Sequence, residues 1–264
     1  MATNNQVSHS AAYVLHSRPY RESSAIVEIF SEDHGRGSLV ARGVKRPRCR
    51  YRGLLQPFQP LLVSWSGQGE LATLTAAEEA GPPLPLTGQR LVVGLYINEL
   101  LMRALQRGDG HNRLYRRYHD VLHRLATHAS LRLTPQQEAD LRLFELDLLT
   151  ELGYGLLLDH EADSGAMVVA EQRYHYHPSR GPLLIDDRPS SFSVAEIEVP
   201  GKVLLGLAAR DLLSCDGLQL AKRLLRRALA YHFGDKPLRS RRLFQSYRSA
   251  IKHDSHEVVN DISF

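Results

Sequence analysis

The hydrophobic period changes once along the chain, at Gly81-Pro82-Pro83-Leu84-Pro85, and that change limits what can fold on either side. Before it, apolar residues come in short runs bounded by turn residues. Residues 11–16, 25–30, 37–41, 60–66 and 71–77 read as strands, the last two joined by a Ser-Gly-Gln-Gly hairpin turn at 66–69. After the break, Leu91, Val92, Leu95, Tyr96, Leu100, Leu101 and Leu105 recur at helical spacing, and Gly108-Asp109-Gly110 ends that helix. Residues 112–128 form a second helix. Thr134 is the N-cap of a third, with Pro135 at its first position and Gln137 where a capping box needs it. That helix carries Leu141, Phe144, Leu148 and Leu149 on one face, runs to Leu152, and stops at Gly153-Tyr154-Gly155. Residues 202–214, 218–233 and 239–251 read as further helices.

Five short strands in about 75 residues suit a five-stranded Greek-key barrel of the OB type. An SH3-like barrel fits the same count, but basic loops and aromatics favour the OB form. The expected class is α+β: a disordered stretch at 1–10, an OB-fold barrel at 11–80 and a linker at 81–88. An all-helical C-terminal domain at 89–252, with an irregular insertion at 155–200, and a flexible tail at 253–264 complete it.

Within the barrel, the charged residues of 42–52 are Arg42, Lys45, Arg46, Arg48, Arg50 and Arg52, with no carboxylate among them. Tyr51 lies inside the run, and Phe58 and Trp65 follow. Cations that neutralise phosphates, beside rings that stack on bases, suit single-stranded nucleic acid. A solvated basic loop is the plainer alternative. The overall balance, 33 basic against 29 acidic residues for a charge of +4, permits nucleic-acid binding without demanding it. A second basic cluster, Lys222, Arg223, Arg226 and Arg227, falls at spacings of three and four. It reads as one stripe of a helix, with Leu220, Leu224, Leu225 and Tyr231 on the buried side. Arg239, Arg241 and Arg242 continue the charge, for DNA or for an acidic partner.

Enzymatic signatures are missing from the sequence. Gly201-Lys202 is followed by Val203 and lacks the earlier glycine of a phosphate-gripping loop. Asp159, Glu161 and Asp163 alternate as a divalent-metal set might, which gives a metal-dependent nuclease as the alternative function. EF-hand spacing fails, however, with Gly165 one place late and Ala170 at the bidentate position. His160, His175 and His177 lack any cysteine nearby that would make them a zinc site, and His119, His123 and His128 read as surface residues. The two cysteines, Cys49 and Cys215, exclude a cysteine-rich zinc module. No leader or membrane-spanning run is visible, so the chain reads as cytoplasmic. A third possibility is a scaffold whose basic patches serve acidic proteins alone.

Several short motifs, in order, resemble the RecO family of bacterial recombination mediators. They are Tyr13-Val14-Leu15-His16 with Arg18-Pro19-Tyr20, Glu32-Asp33-His34-Gly35, Ala41-Arg42-Gly43-Val44, Leu55-Gln56-Pro57-Phe58 and Tyr96-Ile97-Asn98-Glu99-Leu100-Leu101. Phe144-Glu145-Leu146, Leu152-Gly153-Tyr154-Gly155 and Lys236-Pro237-Leu238-Arg239-Ser240-Arg241 close the series. The resemblance implies an OB-fold domain, a helical C-terminal domain, and binding of single- and double-stranded DNA. It also implies annealing of complementary strands, contact with RecR, capture of the acidic tail of single-stranded-DNA-binding protein (SSB), and help in loading RecA onto SSB-coated DNA. No cofactor and no catalysis are implied, and the nucleoid is the implied location. Many members carry a four-cysteine zinc motif after the Gly-Tyr-Gly segment; this chain has none and resembles a zinc-free branch, with an Asp/His-rich insertion at 159–187. For the SSB tail, Arg142 with Leu141 and Phe144 is the expected receptor, a guanidinium at the edge of an apolar groove; the plainer alternative is that Arg142 pairs with Glu138 or Glu145 on its own helix. Tyr51 and Trp65 are open between base stacking and barrel core, with core favoured for Trp65.

Overall fold

A computed structural model describes residues 6–46, 49–51, 53–67, 69–127, 131–185, 196–240 and 243. Five strands, β1 (Gln6–Tyr20), β2 (Ser24–Ser31), β3 (Gly35–Ala41), β4 (Leu61–Ser66) and β5 (Ala72–Glu79), close into a barrel in the order β1-β2-β3-β5-β4. Closure comes from β1 pairing antiparallel with β4 and β3 pairing parallel with β5, at Leu39↔Ala72 and Val40↔Thr73. This strand order is that of an OB fold and decides against the SH3-like alternative. β1 starts earlier than its apolar pattern announces. Gln6 and Val7 pair with Ser66 and Trp65, so 6–10 are strand rather than the disordered leader expected, and β4 satisfies the backbone of a polar stretch. The remainder of that stretch, 1–5, lies outside the described residues.

Alternation along the strands serves two layers. Ala12, Val14, Ala25, Val27, Ile29, Leu39, Leu61 and Val63 fill the barrel. Tyr13, Leu15 and Phe30 are buried on the other face, against α1 (Gly88–Ala104) and α2 (Asn112–Ala126). There Tyr13 meets Tyr118 edge-on at 5.3 Å, and Phe30 meets Tyr115 at 5.5 Å. Asn98 of α1 joins three elements: its Nδ2 donates to Leu15 O (3.1 Å) while its Oδ1 accepts from Tyr118 Oη (2.7 Å). Burial raises the Tyr118 hydroxyl well above its ordinary value, so it acts here as a neutral donor.

The described residues accordingly form two compact units. Gln6–Arg132, with the residues from Leu238 onward, makes the first; Leu133–Pro237 makes the second. The Pro-rich segment at 81–88 is a connection inside the first unit, because the apolar outer face of the barrel needs α1 and α2 to cover it. Gly35 makes the approach of the β2–β3 turn possible. Its φ is +62°, and a Cβ there would lie 1.7 Å from Asp109 O. Glu99 of α1 accepts from Arg239 N (2.7 Å), Ser240 N (2.9 Å) and Ser240 Oγ (2.8 Å), which ties the start of the expected 239–251 helix to this unit. Most of that helix, including Arg241 and Arg242, and the tail from 253 lie outside the described residues.

In the second unit, α3 (Pro135–Glu151) opens with the expected capping box. Gln137 N donates to Thr134 Oγ1 (3.2 Å), and Thr134 N donates to Gln137 Oε1 (3.0 Å). Among its described residues the insertion, whose composition suits short strands or a loop, takes the strands. β6 (Arg173–His177), β7 (Gly181–Leu184) and β8 (Ile197–Pro200) form an antiparallel sheet in the order β7-β6-β8. It leads into α4 (Gly201–Ala208) and α5 (Leu218–Phe233). α4 ends short of the expected 214, where Arg210 adopts a φ of +60°.

Candidate nucleic-acid interface

The basic run forms the connection from β3 to β4, and backbone bonds hold its first half. Lys45 N donates to Ser23 O and Arg46 N to Gly43 O, both at 3.0 Å, so the loop lies against the β1–β2 turn. Strand register requires this neighbourhood, since Tyr20 pairs with Ser24 and Ala25 with Ala41. A groove of about 540 Å³ results, lined by Tyr20, Arg21, Ser23, Arg42, Gly43 and Arg46 among others and, among the described residues, by no carboxylate. Arg42, Lys45 and Arg46 are exposed. Arg21, which in sequence reads only as a turn residue, contributes a third guanidinium to the groove and sits 5.1 Å above the Tyr20 ring. The topology reveals its role; its own neighbourhood in sequence does not.

Other members of the run are placed differently. Arg50 lies 4.6 Å above the Tyr51 ring and donates to Thr75 O, where Tyr51 Oη also donates at 2.9 Å. Tyr51 is buried in the barrel core, and Phe58 is buried too, so neither ring stands ready for a base. Trp65 packs partly against that core, as favoured, and meets His34 edge-on at 5.3 Å. Arg48 and Arg52 lie outside the described residues.

Two further arginines of the barrel unit serve the fold. Glu28, buried on β2, accepts from Ser38 Oγ (2.7 Å) and Arg107 Nη2 (3.2 Å) at one oxygen, and from Arg36 Nε and Nη2 (3.2 and 3.1 Å) at the other. Arg36 also donates to Met102 O and Leu105 O, satisfying carbonyls at the end of α1. Burial pushes the Glu28 carboxyl up. The Ser38 hydrogen bond and the Arg36 and Arg107 charges outweigh that push, so it titrates below its ordinary value.

In the second unit the basic stripe on α5 needs two corrections. Arg223, Arg226 and Arg227 are exposed, whereas Lys222 is 8% exposed and belongs to the buried side with Ala221, Leu225 and Leu229. Tyr231, expected on that buried side, is 48% exposed. Arg239 is exposed and belongs to the first unit. Leu141 and Phe144 are buried, and Arg142 is 5% exposed, its Nη1 3.2 Å from Glu145 Oε2. That contact is a charge pair without the alignment of a hydrogen bond. The expected guanidinium at an open rim is therefore an interior one, because α3 is covered on nearly every side.

The carboxylates of the alternative nuclease do not converge. Asp159 pairs with His160 (3.0 Å), Asp163 with Arg180 (3.0 Å), and Glu161 Oε1 accepts from Leu184 N (3.2 Å). Among the described residues no group of three or more His, Cys, Asp or Glu side chains could hold a metal ion. Nor, among them, is any helix long and apolar enough to cross a membrane.

Comparison with known proteins covers both units. Residues 5–82 match the family model described as recombination protein O N terminal, and residues 85–242 match recombination protein O C terminal. Their boundary coincides with the Pro-rich break in the sequence, whereas the compact units divide after Arg132. A DNA repair protein RecO from Nitrosococcus oceani is 49% identical over 237 residues, covering 90% of this chain and 92% of its own. Proteins of the same name from an Azoarcus species and from Dechloromonas aromatica are each 44% identical, covering 93% of this chain and 98% of theirs.

Proposed function

The chain belongs to the RecO family of DNA repair proteins, and from that premise we propose that it is a recombination mediator that binds single- and double-stranded DNA and anneals complementary strands. The observation that carries the proposal is the groove of Tyr20, Arg21, Arg42 and Arg46, three guanidiniums and a ring with no carboxylate among the described residues of its lining. Such a groove suits a phosphate backbone and ignores base identity. Lys45 extends the positive surface, and Arg48 and Arg52 add charge to the same loop. Annealing follows when the charge of both strands is screened while their bases stay available to pair. The mediator makes and breaks no bond, and needs no cofactor.

With RecR and SSB, the protein would help to load RecA onto SSB-coated single strands. Arg142, with Leu141 and Phe144, remains the proposed receptor for the acidic SSB tail, on the condition that a tail carboxylate takes the place of Glu145. Work at the nucleoid belongs to the same proposal.

Annealing of two complementary SSB-coated oligonucleotides, with magnesium absent, tests the function. The full chain is expected to accelerate pairing, and the Arg21→Ala/Arg42→Ala/Arg46→Ala variant to lose most of that acceleration. A chain that binds no DNA would leave the scaffold alternative standing.

A further inference from the structure

We infer that the second compact unit carries its own stacking platform for single-stranded nucleic acid, where the end of α5 meets the turn after α3. The inference rests on the DNA-binding function proposed above and assigns it a second, separate site. Tyr154 is fixed by the end of α3, its N donating to Leu149 O at 2.8 Å. Its ring stacks on His232 of α5 at 4.2 Å and 22°, with Phe233 edge-on at 5.8 Å. Tyr231 meets His232 at 5.0 Å and His177, at the end of β6, at 5.4 Å. Three separate segments thus bring five rings together, and two remain open to solvent: Tyr154 is 42% and Tyr231 48% exposed. Exposed rings that gather in one patch, unlike apolar residues scattered singly, mark an interaction surface.

Charge selects the occupant. Arg223, Arg227 and Tyr231 follow one another every four residues on the exposed side of α5, with Arg226 beside them. Each step advances about 6 Å along the axis, so a row of cations leads into the ring cluster. The open rings are tyrosines, flanked by histidines, and they suit planar bases with polar edges better than they suit an aliphatic partner surface. A backbone laid along Arg223 and Arg227 would deliver its bases to Tyr231 and Tyr154. This is the pairing of basic track and aromatic platform that sequence-tolerant single-strand binding uses. A protein with two such sites could engage both strands of an annealing pair at once.

The test uses the full chain and two probes. In the first, an oligonucleotide of eight 5-iodo-deoxyuridines is photocrosslinked to the unmodified protein. Crosslinks at Tyr154, Tyr231 or His177 are the expected result, and crosslinks confined to the first unit would overturn the inference. In the second, fluorescein-labelled (dT)8 is titrated into the Arg21→Ala/Arg42→Ala/Arg46→Ala variant, where the groove is disabled. Residual binding is expected there. Adding Tyr154→Ala/Tyr231→Ala should weaken it about 10- to 100-fold, while Tyr154→Phe/Tyr231→Phe keeps it within about threefold. No residual binding, or binding indifferent to the tyrosines, sinks the platform while sparing the groove. Failure of the wild-type chain to bind (dT)8 at all sinks the DNA-binding function itself. Protection of the two tyrosines by polyaspartate and not by (dT)8 would assign the site to an acidic protein instead and also overturn it.

Discussion

Arg142→Ala is expected to destabilise the second unit by about 3–5 kcal/mol, because it takes from the Glu145 carboxylate, 1% exposed, a cation that lies 3.2 Å away in the interior. Opposite charges in a poorly hydrated site lose much of their hydration on burial, and their mutual attraction only offsets that cost. Removing one partner leaves more of it uncompensated. Removing both does not: Arg142→Met/Glu145→Met should be as stable as the wild type or more so, by up to about 4 kcal/mol. Hydrogen exchange at the amides of α3, with urea as denaturant, would measure both effects. A single variant as stable as the wild type would contradict the buried pair. The double variant also separates folding from tail capture. It retains a packed α3 without a guanidinium, so SSB-tail peptide binding should be lost; retained binding would remove Arg142 as receptor.

Glu28→Ala should cost the barrel unit about 3–5 kcal/mol, toward the lower figure because the Arg107 side chain is 37% exposed and can rehydrate. Arg36 would lose its carboxylate partner while still bound to the end of α1, so the loss acts on the barrel and the helix together. The same network sets an acid limit. Because the folded-state value of Glu28 is depressed, its contribution is present in full above the ordinary glutamate value of about 4.3. That contribution is lost as pH falls through the lower folded-state value. Glu28→Gln should therefore flatten the acid side of the stability profile. Trp65, the only tryptophan, lies in the barrel, so its fluorescence follows this unit alone. An unchanged acid limb in Glu28→Gln would show that the carboxylate does not carry it.

Local rules were legible where a short stretch of chain sufficed. Short apolar runs bounded by turn residues located all five barrel strands, and Thr134, Pro135 and Gln137 announced the start of α3. What the sequence hid depended on neighbours far apart in the chain. Tyr13 and Phe30 look like ordinary strand residues, yet Tyr115 and Tyr118, about a hundred positions on, are what cover them, and so α1 and α2 join the barrel. Arg21 became a groove residue only through pairings such as Ala25↔Ala41. On α5 the error was one of arc. Lys222 and Arg226 sit about 40° apart on the helix, which suggests one stripe, but the solvent boundary passes between them. Tyr231 lies at the opposite edge of the same exposed arc, beside Arg227. Arg142 resisted interpretation for a related reason, since a guanidinium among leucines is equally consistent with a rim and with an interior pair until its cover is known.

The salt dependence of single-strand binding tests the central claim most directly. With about five phosphates neutralised, the logarithm of affinity for a dT oligonucleotide should fall with the logarithm of salt at a slope near −3 to −4. Arg21→Ala/Arg42→Ala/Arg46→Ala should flatten that slope by about 2, roughly 0.7 for each phosphate no longer neutralised. A triple variant whose slope matches the wild type would contradict the groove as the path of the DNA backbone.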